Sequence, residues 1–361
     1  MGGKVLTKII SERLSRHAEL ENLLAESQYG FRTQRRTTDL ISMVRRLQEW
    51  RIEKRQPLWI CFVDIVKAFD VINRQAMTVV LRKLGLPQKM LRLISELHSG
   101  QLGRVVHGQD LSAEFERQSG LRQGCTLSPC LFVLYLSAVI DRMHSILDEE
   151  VGVKIRSRMD GDLLSIQRLR AKTKCTESVI SELVYADDCA LVAENASDLQ
   201  KLMSALEIAA GEFGLKISVD KTKVLSQGHT QPPLGQQILY GKEVEMVPEF
   251  VYLGSVISPS GKPDADIYSR IQKTWSAFGR FWFKLFKRKD LNLETRIQLY
   301  QAVCLSILTY GKQLDSEKAE CKKNRQSYLQ TTQNAAWLHV ERWEELCGYP
   351  AGGWNCPIRG D

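Results

Sequence analysis

Apolar residues recur along the chain at two spacings, and together they predict amphipathic helices alternating with short buried strands. Apolar positions three or four residues apart predict helices over residues 4–23, 38–55, 73–85 and 87–100. Residues 58–63 (LWICFV) form a short run rich in aromatic and β-branched side chains, which predicts a buried strand ending at Asp64. Asn73 is placed to cap the helix that begins there, and Gly85 to end it.

The middle of the chain predicts a central helix and an acidic hairpin. Residues 128–147 are apolar on nearly all sides at their start, so this helix should be buried, with Ser128 as its N-cap ahead of Pro129. Residues 182–193 read as strand, tight turn and strand, with the pair Asp187-Asp188 at the turn.

The remainder predicts one more helix, a β-rich region and a basic helical region. Ser197 and Gln200 have the spacing of a capping box and would begin a helix that Gly214 ends. Residues 217–257 are β-rich in pattern, and residues 267–311 are helical and basic. Residues 313–361 are polar and end in a stretch rich in Gly, Pro and Trp, so we expect little independent structure there.

Charge narrows the class of partner. Lys and Arg number 50 and Asp and Glu 42, so the net charge is +8, which is compatible with a polyanionic partner. Basic residues cluster at 32–55, 154–174 and 270–289, where solvated surface charge is the simpler explanation for part of them. The nine scattered cysteines include no C-x-x-C pair, which argues against zinc ribbons and a disulfide framework. No apolar run is long enough to predict a membrane partner.

The acidic residues at strand ends carry the candidate chemistry. Asp64 follows a buried strand, and Asp187 and Asp188 lie at the tip of the hairpin. Carboxylates in apolar surroundings are costly unless cations pair with them. Two divalent ions held by carboxylates from two strands would provide that pairing and would suit phosphoryl transfer. An acidic, solvated turn is the alternative explanation for the hairpin taken alone.

Six ordered motifs resemble the reverse transcriptase domain of non-LTR (LINE-type) retrotransposons. The matching segments are residues 28–39 (QYGFRTQRRTTD), 62–70 (FVDIVKAFD), 120–129 (GLRQGCTLSP), 185–188 (YADD), 214–223 (GLKISVDKTK) and 252–255 (YLGS). The similarity runs from about residue 4 to 311. Relative to the family, the chain looks truncated in the fingers and lacks the endonuclease domain that many such elements carry.

The resemblance implies an α+β right-hand polymerase fold with fingers, palm and thumb. Its palm would be an antiparallel sheet with helices packed on one face. The domains would be partial fingers (1–57), palm (58–262) with a basic insertion near 150–182, a helical thumb-like region (263–312) and a divergent tail (313–361). The implied partners are an RNA template, a DNA primer and deoxynucleoside triphosphates. The oligomeric state stays open, and the location would be the nucleus or the cytoplasm.

The resemblance also implies roles for individual residues. Asp64, Asp187 and Asp188 match the aspartates that bind two Mg²⁺ ions, with Mn²⁺ as the alternative, and Ile65 matches a position whose carbonyl meets a metal. Phe69 matches the bulky residue that excludes a ribonucleotide 2′-hydroxyl, although a core aromatic is an equal explanation. Arg122, Gln123 and Gly124 match the loop that contacts the incoming nucleotide and the template.

Two further assignments have solvated surface charge as their alternative. Lys221 falls where a polymerase can keep a general acid for the pyrophosphate leaving group. Arg32 and Arg36, with Arg35 between them in sequence, would grip the triphosphate through charge-assisted hydrogen bonds. The function that follows is an RNA-directed DNA polymerase, an enzyme. Its alternatives are a catalytically inactive nucleic-acid-binding relic of a retrotransposon and an unstable fragment with no function.

Overall fold

A computed structural model describes residues 2–117, 119–158, 175–228, 237–286, 288 and 290–311, and it is a mixed helix and sheet structure. Its helices are α1 Gly2–Leu20, α2 Thr37–Glu53, α3 Ala68–Val71, α4 Arg74–Lys83, α5 Gln88–His98, α6 Ser128–Ile146, α7 Ala196–Glu212, α8 Asp264–Phe281, α9 Leu293–Tyr300 and α10 Ser306–Thr309. Its main strands are β1 Leu58–Val63, β6 Val153–Arg158, β7 Cys175–Ile180, β8 Glu182–Tyr185, β9 Asp188–Ala193 and β10 Lys223–Gln227. The shorter strands are β2 Leu102–Gly103, β3 Val106–His107, β4 Asp110–Leu111, β5 Phe115–Glu116, β11 Ile238–Leu239, β12 Lys242–Glu243, β13 Glu245–Met246, β14 Phe250–Tyr252 and β15 Ser255–Ile257.

A five-stranded sheet in the order β13-β10-β1-β9-β8 forms the centre of the first compact unit, residues Met1–Pro248. β1 is the middle strand and pairs antiparallel with β10 on one side and β9 on the other. The antiparallel pairing expected for the palm holds across four strands, whereas the short edge strand β13 runs parallel to β10. Every residue of β1 is buried, as its unbroken apolar run predicts.

Helices cover both faces of this sheet, which differs from the expected packing on one face. Trp59, Cys61 and Val63 of β1 belong to the main core, to which α6 and α7 contribute most of their buried side chains. The alternate residues of β1 lie on the opposite face, and Gln227 of β10 lies opposite Leu58 on that face. Gln48 of α2 donates a hydrogen bond of 2.9 Å to the Gln227 side chain, so α2 packs there.

The central helix α6 is buried as its composition predicts. Within the part of the chain that the structure describes, α6 alone is long and apolar enough to cross a membrane by length and composition, and 61% of its most apolar window is buried inside the fold. Its bounds agree with the predicted helix over 128–147, and the polar residue Ser137 is buried within it. The Ser137 hydroxyl accepts a hydrogen bond from the backbone of Ala25, which offsets the cost of its burial.

Of the three helix N-caps predicted from the sequence, the structure confirms one. Asn73 caps α4 as predicted, since its side chain accepts hydrogen bonds from the backbone of Gln75 and Ala76. The other two predicted caps are wrong. Leu127 precedes α6, and the Ser128 hydroxyl donates instead to the carbonyl of Arg122. Asn195, not Ser197, caps α7.

Two short-stranded segments lie between the palm elements. Residues 102–116 form paired strands, β2 with β5 and β3 with β4. The predicted basic insertion contains β6, which pairs antiparallel with β7 over six residues. Residues 159–174 of that insertion lie outside the described residues, as do residues 312–361, on which the prediction of a poorly ordered tail falls.

The described residues from Glu249 to Gly311 belong to a second compact unit. It begins ahead of the predicted palm–thumb boundary between 262 and 263, because the β14–β15 hairpin packs on α8. The backbone of Val256 in β15 donates a hydrogen bond of 2.9 Å to the Asp266 carboxylate. Asp266 and Arg270, both buried, also pair with each other at 3.1 Å. The domain names stay a prediction for both units.

Candidate active site

Adjacent strands bring the predicted acidic residues to the same end of the sheet. β1 and β9 are antiparallel, with Val63 opposite Cys189, so the next positions along this register are Asp64 and Asp188. Asp188 also closes the β8–β9 hairpin opposite Tyr185. Ala186 and Asp187 therefore form the turn. All three predicted aspartates, Asp64, Asp187 and Asp188, lie at this end of the sheet, which we call the acidic edge.

The carboxylates at this edge repel one another. Desolvation raises the pKa of Asp188 above its usual range, and the negative charges of Asp187 and Asp64 raise it further. This occurs although the Asp188 side chain still reaches solvent. A cluster of like charges that disfavours its own ionisation is a functional-site candidate, because binding a cation would relieve the repulsion.

Residues from the 214–223 segment hold Asp64 in place. The Asp64 carbonyl accepts a hydrogen bond of 2.8 Å from the backbone of Ser218, and its own N–H points to the Thr222 hydroxyl at 3.4 Å. Ile65, which is buried, forms an isolated antiparallel bridge with Ile217. Lys221 Nζ lies 3.5 Å from the Asp64 carboxylate while its side chain stays 71% exposed. The segment thus places the Lys221 ammonium group beside the acidic edge.

The donor chemistry of this edge fits divalent metal ions, although no metal cage is formed in advance. Within the described ranges, no group of three or more His, Cys, Asp or Glu side chains is arranged to hold a metal ion. The fit lies in the chemistry: three carboxylates from two strands are close enough to shift the pKa of one of them. Carboxylate oxygens are the ligands that Mg²⁺ and Mn²⁺ prefer.

A cavity of about 370 Å³ lies beside the motif at residues 120–129, which we call the substrate loop. The predicted residues Phe69, Arg122, Gln123 and Gly124 all line it, and the remaining lining residues are Cys125, Thr126, Ser128 and Pro129. Phe69 stacks on Phe132 of α6, with ring centroids 4.3 Å apart and an interplanar angle of 16°. One face of Phe69 therefore packs in the core, while the residue also borders the cavity. Its role in excluding a ribonucleotide stays a prediction.

Asp70 connects the motif at residues 62–70 to the substrate loop, a contact that the sequence did not predict. Its carboxylate accepts a hydrogen bond of 2.9 Å from Arg117 and lies 3.4 Å from the Gln123 amide. The backbone of Gly120 approaches so closely that an added Cβ would lie 2.5 Å from the Asp70 carbonyl. Asp70 thus forms a salt bridge with Arg117.

The basic residues of the first cluster have different roles. Arg32 is buried in a two-bond ion pair with Glu19, at 2.7 and 3.0 Å, and also donates to the Ala25 carbonyl. That geometry commits its charge inside the protein, which differs from the predicted triphosphate contact. Arg35 lies over the Tyr29 ring at 4.6 Å and pairs with Glu26. Arg36, at the start of α2, has an exposed side chain.

Two buried thiols line the core side of the acidic edge. Cys61 and Cys189 lie on adjacent strands and both belong to the main core. Burial raises the pKa of both thiols well above the ordinary range. Both are free cysteines, which agrees with the argument from the sequence against a disulfide framework.

Comparisons with known proteins give this chain a family and a set of relatives. Residues 1–257 match the family model described as "Reverse transcriptase (RNA-dependent DNA polymerase)". The RNA-directed DNA polymerase from mobile element jockey of Drosophila funebris is 21% identical over 334 residues, covering 91% of this chain and 33% of that protein. The Pol polyprotein of retrotransposable element R2DM from Drosophila melanogaster is 25% identical over 315 residues, covering 83% of this chain and 27% of that protein. The chain thus spans about a third or less of these curated relatives.

Two solved telomerase structures align with this chain. Apo telomerase from Candida tropicalis aligns over 71% of this chain and 44% of that chain, with a TM-score of 0.45 and 12% identity. The Candida albicans telomerase structure, solved with a fragment of telomeric RNA, aligns over 96% of this chain and 52% of that chain, with a TM-score of 0.45 and 13% identity. The likenesses are slight, and the assignment rests on the family match and the relatives.

The relatives confirm the resemblance to retrotransposon enzymes that the six motifs indicated. The mixed helix and sheet structure is likewise the α+β polymerase fold expected from those motifs. With the family model matching well over half of its length, the chain belongs to the reverse transcriptase (RNA-dependent DNA polymerase) family.

Proposed function

We propose that this chain is an RNA-directed DNA polymerase that adds a deoxynucleotide to a primer 3′-hydroxyl and releases pyrophosphate. The observation that carries the proposal is the meeting of Asp64 and Asp188 across paired strands, with Asp187 in the adjoining turn. The raised pKa of Asp188 supports it, because the edge holds more negative charge than its surroundings stabilise. Carboxylates at strand ends are more precisely placed than carboxylates on loops.

Asp64, Asp187 and Asp188 would hold two Mg²⁺ ions, with Mn²⁺ as the alternative, and the Ile65 carbonyl would add a ligand. Reverse transcriptases in general use divalent metals. When bound, the ions supply the positive charge that phosphoryl transfer requires and lower the pKa of the attacking hydroxyl. The protein contributes the fixed β1–β9 register, which sets where the acidic side chains begin.

Other residues of the chain orient the nucleotide and move a proton. Phe69 would form the wall beneath the sugar, and Arg122, Gln123 and Gly124 would meet the nucleotide and template from the same cavity. Arg36, exposed at the start of α2, would contact the triphosphate. Lys221 Nζ would give a proton to the departing pyrophosphate oxygen, since it already lies at the acidic edge. Arg32 is left out because its charge is paired with Glu19.

The partners follow from this chemistry. They would be an RNA template, a DNA primer and deoxynucleoside triphosphates, bound by the exposed basic residues. Several arginines of the basic clusters are not available for this: Arg32, Arg51 and Arg270 are all buried against carboxylates. Relatives described as RNA-directed DNA polymerases support the template class. A location in the nucleus or cytoplasm belongs to the same proposal.

Primer extension on poly(rA)·oligo(dT) with Mg²⁺ tests the function. We expect the wild-type chain to extend the primer, and Asp187→Asn to abolish extension while primer–template binding persists. Asp110→Asn, an exposed carboxylate on β4, is the matched control and should extend normally. Binding without extension by the wild type would instead favour the inactive relic. Circular dichroism with a cooperative melt excludes the third reading, an unstable fragment.

A further inference from the structure

A buried glutamine, Gln28, contacts the turn of the acidic hairpin. Its side chain is fully buried, and the function proposed above gives this residue no role. Its Oε1 accepts two hydrogen bonds, from the backbone N–H of Ala186 at 2.9 Å and from that of Gly30 at 2.7 Å. Its Nε2 lies 3.5 Å from the Ala186 carbonyl. The backbone N–H and the backbone carbonyl of Ala186 thus both face one side-chain amide.

The main chain around Gln28 fixes the same hairpin a second time. Gln28 forms an isolated parallel bridge with Val184 of β8. The Tyr29 N–H donates to the Val184 carbonyl at 2.7 Å, and the Val184 N–H donates to the Ser27 carbonyl at 3.0 Å. These bonds attach residues 27–30 to the outer side of the strand that leads into the turn.

The turn needs this support because its conformation is uncommon. Ala186 has φ of 55°, in the left-handed region that a residue with a Cβ rarely adopts. Such a conformation is strained for a residue with a Cβ and persists when its surroundings impose it. Ala186 is also buried, so its N–H would lack a partner without Gln28.

Gly30 completes the arrangement by allowing close approach. A Cβ at residue 30 would lie 2.3 Å from the Ala186 nitrogen and 3.0 Å from its Cα. The contact is with backbone, so no side chain can move aside to relieve it. Residues 28 and 30 therefore act together: one supplies the amide and the other supplies the space.

We propose that Gln28 is a positioning residue for catalysis, which holds Ala186 in its left-handed conformation so that Asp187 and Asp188 are presented to metal and substrate. The inference rests on the proposed polymerase function. Asp187 directly follows the residue that Gln28 holds, and Asp188 begins β9. A shift of about 1 Å in reacting groups can cost roughly 10²-fold in rate.

The principal variant is Gln28→Met, which keeps the length of the side chain and removes its amide. Gln48→Met is the matched control, because Gln48 is also a buried glutamine that bonds to a sheet residue, Gln227 at 2.9 Å. Gln227 pairs with Leu58, at the opposite end of β1 from Asp64. Both variants lose a buried amide, but only one of these amides touches the hairpin turn.

The first readout is steady-state primer extension. We expect Gln28→Met to lower kcat about 10- to 100-fold, to raise the Mg²⁺ concentration for half-maximal rate several-fold, and to leave primer–template binding unchanged. Gln48→Met should keep kcat and the Mg²⁺ dependence, even if its melting temperature falls equally. Equal kcat and equal Mg²⁺ dependence in the two variants would overturn the proposal.

The second readout is independent of turnover. Hydrogen exchange in a peptide covering 182–190 should be faster by about tenfold or more in Gln28→Met than in wild type, and unchanged in Gln48→Met. Unchanged exchange in Gln28→Met would overturn the positioning role. If the wild type fails to extend primers, the polymerase function fails, while this exchange result still decides whether Gln28 holds the turn.

A second variant covers the case in which Gln28→Met does not fold. Gly30→Ala keeps the glutamine but places a methyl group against the Ala186 backbone. We expect the same loss of kcat and the same faster exchange. Gly211→Ala, where an added Cβ meets nothing within 4 Å, is its control and should behave as wild type. A normal Mg²⁺ dependence and kcat in Gly30→Ala would contradict the proposal.

Discussion

Lys221 Nζ lies 3.5 Å from Oδ2 of Asp64, although the two residues are 157 positions apart in sequence and the lysine is 71% exposed. An exposed ion pair of this kind adds little to stability. Its position is more informative, since it places an exposed ammonium group beside the carboxylate that is proposed to bind metal. The pair is therefore better explained by chemistry at this edge than by folding.

Lys221→Ala tests that explanation. Loss of a proton donor to the leaving group should lower kcat for primer extension by about 10²-fold, with little change in the melting temperature. Lys242→Ala removes an exposed lysine from β12 and should leave kcat unchanged. A Lys221→Ala chain with wild-type kcat would contradict the role as general acid.

The raised pKa of Asp188 predicts a trade-off between stability and activity. Because the folded chain binds this proton at a higher pH than the unfolded chain, the stability linked to Asp188 is present below the ordinary value of 3.8 and lost as pH rises through the raised value. The ionised side chain thus costs stability at pH 7. Asp188→Asn should raise the free energy of unfolding there by about 0.5 kcal/mol, a small value because solvent screens the group.

Urea unfolding in EDTA at pH 7 and at pH 3.5 measures this effect. The gain from Asp188→Asn should be present at pH 7 and absent at pH 3.5, while primer extension is abolished. Asp110→Asn should show no such pH-dependent gain. An equal effect of Asp188→Asn at both values of pH would contradict repulsion as its source.

Two arginines that look alike in sequence should separate by phenotype. Arg32→Ala leaves Glu19 without the partner that lowers its pKa, and because Glu19 itself is partly exposed, loss of the pair should cost about 1.5 kcal/mol of stability. Because the pKa of Glu19 is depressed, that stabilisation is present at neutral pH and lost as pH falls. Arg36→Ala, at an exposed site, should change stability by less than about 0.5 kcal/mol but raise KM for the nucleotide.

Thermal melts at pH 7 and pH 4, together with nucleotide titrations, distinguish the two arginines. Glu19→Gln is the partner variant, and its effect should not add to that of Arg32→Ala. Full additivity, or a raised KM without destabilisation in Arg32→Ala, would show that Arg32 meets the triphosphate instead.

Phe69 borders the cavity and stacks on Phe132, so Phe69→Val should have two effects. Space opened beside the sugar should increase incorporation of ribonucleotides relative to deoxynucleotides by about tenfold or more. Loss of the stacked pair should cost about 1 kcal/mol. Phe213→Val, which removes an edge-on contact with Tyr135, controls for lost aromatic packing and should leave sugar selection unchanged. Unaltered selection in Phe69→Val would assign this ring to the core alone.

Much of the sheet could be predicted because its signals are local. The run LWICFV gives β1 with its correct bounds, since an unbroken apolar strand is what a central position requires. The hairpin follows from two short strand-like runs joined by a tight connection, and its turn carries the acidic pair. Candidate site residues came from motif order, and the structure brings Asp64 and Asp188 to one edge.

What could not be predicted depends on contacts between distant segments. No local pattern pairs Arg32 with Glu19, so the arginine looked free for a ligand. Ser128 and Ser197 each carried a capping signal, but neighbouring residues supplied the actual helix starts. Gln28 had no signal beyond its place in a motif, because its function lies in hydrogen bonds to a turn 158 positions away.

Cys61 and Cys189, two buried thiols on adjacent strands, can report how often the sheet opens. Both are sealed on adjacent strands directly behind the aspartates, and both stay protonated in the closed sheet. A maleimide reagent can reach them only when β1 and β9 separate. Their modification rate therefore times the opening of the strand pair that carries the acidic edge, without any need for turnover.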